Sequence, residues 1–353
     1  MLRLTPLDRR RLANFRANKR AFWSLRIFLI LFGISLLSPF VANDKPLVVS
    51  FDGGLVFPII SPVDEVFYGG DAGFVGTDYA DPFIQDLIRT NGDEELAPGE
   101  SPGWMVWPVV PFHYATVDFD VATAPSPPDS RHWLGTDDQA RDVLARIIYG
   151  FRLSVLFGFG VTLVSALIGV LAGAAQGFFG GWVDLFFQRV EEVFSSMNLL
   201  YVVIIVASVL APTLWVMFAI FVVFSWHQLT GLVRAEFLRA RNFEYVQAAR
   251  ALGVSDWRIM VRHLLPNAMV ATLTYLPFLL TSSIGLLAML DFLGFGLGNN
   301  YPSLGELALQ GKNYVQDPHL GFAAFFTFAI MLSLLVFIFE GIRDAFDPRK
   351  AFA

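Results

Sequence analysis

Two long stretches without a charged side chain constrain the fold of this chain more than any other feature. Residues 153–183 contain no Asp, Glu, Lys or Arg, and neither do the 41 residues of 193–233. An apolar helix of about 20 residues crosses the hydrocarbon core of a bilayer. The first stretch therefore predicts one span, and the second predicts two spans divided at Ala211-Pro212. Runs at 264–290 and 320–339 predict two more, so we expect an all-α polytopic membrane protein.

The composition supports this class and removes several kinds of chemistry. Hydrophobic residues make up 55% of the 353 residues, charged residues 16%, and the mean hydropathy is +0.56, which argues against a soluble globule. The chain has no Cys, so disulfides, thiolate metal sites and cysteine nucleophiles are excluded. Its five His residues show no metal-ligand spacing, and no metal site is expected.

The amino end predicts a further span and an orientation. Eight basic residues lie within residues 1–26 against the single acid Asp8, and an apolar run follows at 21–42. Basic segments beside a span stay in the cytoplasm. A secretory signal is the alternative, but no clear small-residue cleavage site follows the run. Residues 1–42 are thus predicted to be a cytoplasmic amino terminus and the first of six transmembrane helices.

Residues 43–133 differ in kind from the rest of the chain. Between Asp44 and Asp138 there are seventeen acidic residues and three basic ones. We predict a loop-rich, acidic, extracytoplasmic (periplasmic) insertion after the first helix, with short strands at Leu47–Ser50 and Trp104–Val110. A flexible tether is the alternative. Residues 134–353 would then hold the other five spans.

Two further patterns concern packing and charge. Asp137 and Asp142, with Arg141 and Arg146, are expected to form an ion-pair network that caps a helix. No nucleophile or metal pattern accompanies them, so a catalytic role is not expected. Small residues on one helical face predict close packing of transmembrane helices, as either a shifting contact between transporter halves or a static one; these are Gly158, Gly160, Gly169, Gly173 and Gly177.

A polar hairpin is predicted between two apolar runs, within residues 232–266. Six Arg against three acids place it on the side of the amino end. Asn242 is expected to cap a short helix, Gly253 to end it in a left-handed conformation, and Ser255 to cap a second short helix. The product would be a compact docking element, or alternatively an ordinary hairpin linking two spans.

Four segments in order resemble one protein family. They are His132–Arg146 around Leu134-Gly135-Thr136-Asp137, the stretch Gln247-Ala248-Ala249 with Gly253 and Leu265-Pro266, the stretch Phe292-Leu293-Gly294, and the ending Arg343-Asp344 with Asp347-Pro348. Together they resemble permease subunits of binding-protein-dependent ABC importers for oligopeptides, dipeptides and nickel. The resemblance is strongest to the microcin C/oligopeptide (Yej-type) branch. Gln247 stands where the family pattern has Glu, Ala140 where it has Gly, and Leu304 where it has Trp.

The resemblance implies a type I ABC importer permease architecture and a set of partners. The chain would form half of a pathway for peptide-like substrates with a sister permease, in a heterodimer. Two cytoplasmic ATPase domains would dock on loop 241–266, and a periplasmic solute-binding protein would deliver substrate. The residues implied in ATPase coupling are Gln247, Ala248, Ala249, Arg250, Gly253, Ser255, Arg258 and Pro266.

The resemblance also implies a bacterial inner-membrane location, with lipid around the chain, both termini cytoplasmic and no nucleic-acid partner. This chain would bind no cofactor, while ATP and Mg²⁺ would sit on the partner ATPases. The sequence agrees, because the nearest approach to a phosphate-binding loop, at 305–313, lacks the required Gly and Ser/Thr positions. The chain is therefore predicted not to be an enzyme.

Two other functions stay open at this point. A secondary transporter or channel predicts buried ionisable residues and inverted repeats, which the sequence does not display. A membrane-anchored enzyme or sensor predicts a convergent polar site in the acidic insertion. Glu94-Glu95 is slight support for it.

Overall fold

The computed structural model describes residues 6–70, 76–93, 96 and 101–346, and this part of the chain is mostly helical. Its α-helices are α1 (Pro6–Ala17), α2 (Lys19–Leu36), α3 (Ser38–Val41), α4 (Pro82–Arg89), α5 (Val143–Phe179), α6 (Gly181–Ser196), α7 (Leu199–Val209), α8 (Leu214–Ala240), α9 (Glu244–Ala251), α10 (Asp256–Ile259), α11 (Leu265–Phe292), α12 (Leu304–Asn313) and α13 (Pro318–Phe346). The strands are β1 (Val48–Phe51), β2 (Gly54–Val56) and β3 (Trp104–Val106). A 3₁₀ turn covers Glu65–Tyr68, and a π-helical segment covers Met260–Leu264. The predicted Asp347-Pro348 ending and Glu94-Glu95 lie outside the described residues.

Four helices in the described part of the chain are long and apolar enough to cross a membrane. They are α5, α8, the continuous helix Asp256–Phe292 and α13. Helix α2 is not among these four, because its 18 residues include three charged ones, Lys19, Arg20 and Arg26. The first of the six predicted spans therefore stays a prediction.

The span predicted to start at Val193 is not one straight helix. Helices α6 and α7 are bent by 74° at a short break, and they count as a fifth span only if the bent pair crosses as one. Met197 is extended at the break, and the Asn198 side chain accepts a hydrogen bond from the backbone N–H of Leu200 at 3.0 Å. An Asn cap thus starts a new helix inside an apolar run. The predicted divide at Ala211-Pro212 is confirmed, since α7 ends at Val209 and α8 begins at Leu214.

The described residues form two compact units. The first covers residues 6–30, Leu153–Tyr301 and residues 326–346, and the second covers the described parts of Leu31–Arg152 together with Pro302–Phe325. The core of the first unit is an apolar cluster to which α5, α8, α9 and the helix Asp256–Phe292 all contribute. Its fully buried members include Leu229, Val233, Phe237, Val246 and Ile259.

The second unit contains a small antiparallel sheet with strand order β2-β1-β3. Val48 pairs with Val106, and Ser50 pairs with both Leu55 and Trp104, so both predicted strands are present. Val49, the buried residue of β1, faces away from Val48 and Ser50 and packs in a core with Tyr68, Tyr79, Ile84 and Ile88. The predicted boundaries at 42/43 and 133/134 stay predictions.

Candidate functional site

The first helix of the predicted hairpin is α9, and its start differs from the prediction by one residue. Phe243, not Asn242, holds the N-cap position, and it makes no side-chain cap hydrogen bond. The predicted Asn242 cap is therefore wrong. The backbone oxygen of Asn242 instead accepts a hydrogen bond from Nε2 of Gln247 at 3.2 Å. Gln247 is thus engaged within the hairpin through its donor group.

Gly253 ends α9 as the sequence predicts. Its φ is +76°, the left-handed region that glycine enters without a steric cost. The N–H of Gly253 donates to the oxygen of Arg250 at 2.9 Å, and the N–H of Val254 donates to that of Ala249 at 3.1 Å. These are the two hydrogen bonds of a Schellman motif, which close the carbonyl end of a helix. The turn between the two arms of the hairpin is therefore fixed by its backbone.

The second arm of the hairpin is longer than predicted. Ser255 holds the N-cap position of α10 without a side-chain cap hydrogen bond. Helix α10 does not end after one turn, because it continues through Met260–Leu264 into α11 as one 37-residue helix. In the π-helical segment the N–H of Leu265 donates to the oxygen of Met260, five residues back. This segment lets the helix pass Pro266, whose ring and missing N–H normally interrupt a helix.

The hairpin turns its small residues in two directions. Ala249 is buried, beside Val246 and Ile259, in the core of the first unit. Ala248, Arg250 and the other predicted coupling residues outside that core are exposed; these are Gln247, Gly253, Ser255, Arg258 and Pro266.

Two large apolar side chains that sequence reasoning missed also point outward on the hairpin. Leu252 is 83% exposed and Trp257 is 66% exposed. The sequence signal for this surface is the presence of large apolar residues inside an Arg-rich loop. Exposed apolar patches of this kind mark sites that a partner covers.

A cleft of about 560 Å³ lies beside the hairpin. It is lined by Phe178, Phe179, Arg241, Asn242, Arg250 and Asp256. The Arg250 guanidinium lies over the Phe178 ring at 5.1 Å, and Nη1 of Arg241 donates to the oxygen of Gly177 at 3.2 Å. The end of α5 and the hairpin are therefore tied together by cationic side chains.

Ion pairs and polar contacts also join α6 to its neighbours. The Arg234 guanidinium makes two hydrogen bonds to the Asp184 carboxylate, at 2.6 and 2.8 Å. Nε2 of Gln176 donates to Glu191 at 2.6 Å. A bidentate pair of this kind fixes the orientation of both groups as well as their distance. Helices α5, α6 and α8 are thus connected close to the hairpin.

The predicted packing glycines lie at close approaches between helices. A Cβ atom built at Gly169 or Gly173 would lie 2.6 Å from a backbone oxygen of α8, and one built at Gly177 would lie 2.7 Å from the Arg234 oxygen. At Gly158 it would lie 2.6 Å from Cγ1 of Ile284 on α11. No side chain larger than hydrogen fits these positions without movement, which is the geometry of small-residue packing in membranes.

The second unit holds a buried cluster of charges around the segment before α5. Arg141 contacts the Asp137 carboxylate at 2.6 Å, and Arg146 lies 3.4 Å from it. Both arginines also reach Glu306 of α12, at 3.4 Å from Arg141 and 2.5 Å from Arg146. Burial raises the pKa of the Glu306 carboxyl, while the two guanidinium groups oppose that change.

A buried histidine forms a second cluster in the same unit. His132 is 1% exposed, and its Nδ1 and Nε2 lie 2.9 Å from Asp142 and 3.1 Å from Asp118. Carboxylates only accept hydrogen bonds, so both contacts are satisfied when both ring nitrogens carry a proton. Burial lowers the pKa of His132, but the bonds to Asp142 and Asp118 outweigh it, and the pKa lies above its usual value.

The predicted ion network is therefore present but differently composed. Asp142 pairs with His132 instead of the arginines, and its Oδ1 accepts from the backbone N–H of Ala145 at 2.7 Å, which caps the start of α5. Glu306, 160 residues beyond Arg146, was missed because nothing local marks it. Among the described residues, no group of three His, Asp or Glu side chains could hold a metal ion.

Comparison with known proteins gives the family. A model described as "Binding-protein-dependent transport system inner membrane component" matches residues 150–352. The inner membrane ABC transporter permease protein YejE of Escherichia coli K12 is 53% identical over 352 residues, covering 99% of this chain and 100% of that protein. The peptidoglycan transport system permease protein YejE of Agrobacterium fabrum is 51% identical, covering 99% of this chain and 94% of that protein.

A more distant relative is the dipeptide transport system permease protein DppC of Bacillus subtilis. It is 34% identical and covers 63% of this chain and 70% of that protein. These relatives are permeases, which confirms the predicted transport subunit and the resemblance to the Yej-type branch. The chain belongs to the family of inner-membrane permease components of binding-protein-dependent transport systems.

Proposed function

We propose that this chain forms half of the translocation pathway of an ATP-driven importer for peptides or peptide-like compounds. The observation that carries the proposal is the hairpin, which exposes a polar and apolar surface while its second arm continues directly into a span. The named relatives support the substrate class, since one is described as a dipeptide permease and another as a peptidoglycan permease. A microcin C-like or oligopeptide substrate falls within this class.

The remaining architecture of the proposal is a six-span subunit with both termini in the cytoplasm. Support comes from the contact between the chain's two ends: a Cβ at Gly341 of α13 would collide with Ala21 of α2, and the Arg11 guanidinium lies 4.4 Å from the centre of the Phe346 ring. Neighbouring ends share one side of the membrane, and the basic residues of the amino end favour the cytoplasmic side. The acidic segment 43–133 would then be periplasmic, where a solute-binding protein delivers substrate.

The exposed face of the hairpin is the proposed docking surface for a cytoplasmic ATPase subunit. Leu252 and Trp257 would enter an apolar pocket on that subunit, since buried large side chains dominate the energy of most interfaces. Arg250 and Arg258 would contact acidic groups around the pocket, and the small side chain of Ala248 would allow close approach. A sister permease would present the equivalent surface to a second ATPase domain.

Movement would pass from the ATPase to the pathway through a helix rather than a loop. The arm that begins at Asp256 reaches Phe292 without a break, so displacement of the hairpin displaces the span. Gly253 holds the angle between the two arms. ATP-driven closure of the ATPases would thus change which side of the membrane the pathway faces.

Substitutions in the exposed face of the hairpin test the proposed docking surface directly. Trp257→Ala and Leu252→Ser should each lower substrate-stimulated ATP hydrolysis by the reconstituted importer at least tenfold, equivalent to about 1.4 kcal/mol of docking energy. Phe119→Ala is the matched control, because Phe119 is 92% exposed and lies in the acidic insertion. Full ATP hydrolysis and full uptake of a labelled peptide by both hairpin variants would contradict the assignment.

A second variant tests the angle between the arms. Gly253→Val places a β-branched side chain at a φ of +76°, so the Schellman turn should be lost while membrane insertion is kept. Uptake should fall although the protein level in the membrane is unchanged. Peptide uptake by this chain and its sister without any ATPase would instead favour a secondary transporter or channel.

A further inference from the structure

A groove between α11 and α13 combines an apolar wall with charges at one end. It has a volume of about 380 Å³, and Pro277, Phe278, Val336 and Phe339 supply much of its apolar lining. Glu340 and Arg343 line the same groove. Since the α13 residues lie at positions i, i+3, i+4 and i+7, they share one helical face, and the charged pair occupies the end nearer the carboxyl terminus. The groove is therefore amphipathic along its length.

The two charged side chains of the groove are open to a ligand. Both are exposed, and neither forms an ion pair with any other residue that the structure describes. A second cleft, of about 420 Å³, reaches Glu340 from the other side of α13 and is lined by Lys19, Arg20 and Phe337. Glu340 thus lies between Arg343 in the groove and the cations Lys19 and Arg20 in the second cleft.

This charged end lies where the apolar part of the span gives way to a basic surface. Ala21 and Phe15 pack at Gly341, one residue after Glu340. Helix α1 continues this surface with Arg9, Arg10 and Arg16, all exposed. Cations next to a span lie at the level of lipid head groups and attract their phosphates.

We propose that this site binds one phospholipid whose head group carries a primary ammonium, a phosphatidylethanolamine. An acyl chain would lie along Pro277, Phe278 and Phe339. The phosphate would contact Arg343 and the cations of the second cleft. Glu340 would accept hydrogen bonds from the ammonium group. The carboxylate selects this lipid class, because a choline group has no N–H to donate and a glycerol head group has no positive charge. The proposal does not depend on the direction of transport or on the ATPase.

Lipid retention by the purified chain tests the site. After partial delipidation in detergent, native mass spectrometry with added phosphatidylethanolamine, phosphatidylcholine or phosphatidylglycerol should show preferential retention of phosphatidylethanolamine. Glu340→Gln should reduce that preference over phosphatidylglycerol about five- to tenfold, because the amide oxygen still accepts a hydrogen bond but lacks the charge that roughly doubles its strength. Arg343→Gln should weaken retention of all three lipids. Glu192→Gln, at another exposed carboxylate, is the matched control and should change nothing.

A series of lipids tests the same site without any variant. Stepwise N-methylation of the head group removes one N–H at a time, so retention by the unaltered chain should fall most at the last methylation, which removes the final donor. Equal retention along the series, or an unchanged preference in Glu340→Gln, would overturn the proposal. Displacement of the lipid by a short zwitterionic peptide would also overturn it, because the site would then belong to cargo.

Discussion

A single methyl group added at Gly173 is expected to disrupt the contact between α5 and α8. A Cβ atom there would lie 2.6 Å from the oxygen of Thr230 and 2.8 Å from Cβ of Val233. Ordinary contact begins at 3.4 Å, so the α8 backbone must withdraw by the difference of 0.8 Å. Overpacking of this kind costs about 1–3 kcal/mol. Since Ala gains about 0.5–1 kcal/mol over Gly within a helix, we expect Gly173→Ala to lose up to about 2.5 kcal/mol of net stability, with a central value of about 1 kcal/mol.

The chain offers controls for the same substitution. Gly231 on α8 and Gly285 on α11 have no atom within 4 Å of a built Cβ. Gly231→Ala and Gly285→Ala should therefore stabilise the protein by about 0.5–1 kcal/mol. Unfolding of the purified proteins by increasing mole fraction of SDS, followed by circular dichroism, gives the three free energies. If Gly173→Ala proved as stable as the two controls, the close approach of α5 and α8 would be refuted.

Three further outcomes are expected in the second unit. Glu306→Gln should lower the free energy of unfolding by about 3–5 kcal/mol, because Arg146 and Arg141 stay buried with less compensating negative charge. Glu192→Gln, which removes one partner of an exposed ion pair, should lower it by under about 1 kcal/mol in the same denaturation assay. Equal losses in the two variants would contradict this expectation. His132 has a folded pKa above its usual 6.5, so its contribution to stability is complete below about pH 6.5 and is lost as the pH rises through the folded value. The melting temperature should fall as the pH rises across that window, and it should depend less on pH in His132→Gln. Parallel curves for the two proteins would count against the contacts of His132 with Asp142 and Asp118. Ala140→Gly should raise stability by about 0.5–1 kcal/mol, since φ at residue 140 is +56°, and no gain in the melting temperature would dispute that turn.

Features with a local cause could be predicted from the sequence. Gly253 was placed correctly because glycine adopts the left-handed conformation of that turn without strain. The pair Asp137 and Arg141 was found because the two residues are four positions apart in the sequence. The strand Val48–Phe51 followed from its own apolar run. In each case the decisive interaction lies within a few residues of the chain.

Features that depend on distant or competing interactions were missed. The span at 264–290 was expected to begin with its apolar run, yet one helix continues back through the π-helical segment to Asp256, and that segment has no distinctive composition. Asn198 starts a new helix inside a run whose hydropathy predicts a continuous one. Glu306 joins Arg146 only through the fold. The outward positions of Leu252 and Trp257 likewise become clear only when the buried side of the hairpin is known.

The π-helical segment Met260–Leu264 sets the angular phase between the hairpin and its span. One residue more per turn rotates everything beyond it by about 100° relative to an unbroken α-helix. The direction in which Trp257 faces is therefore fixed by a single extra residue rather than by the hairpin alone. Deleting one residue here would keep the helix and its hydrophobic length, yet it would swing the docking surface about a quarter-turn around the helix axis.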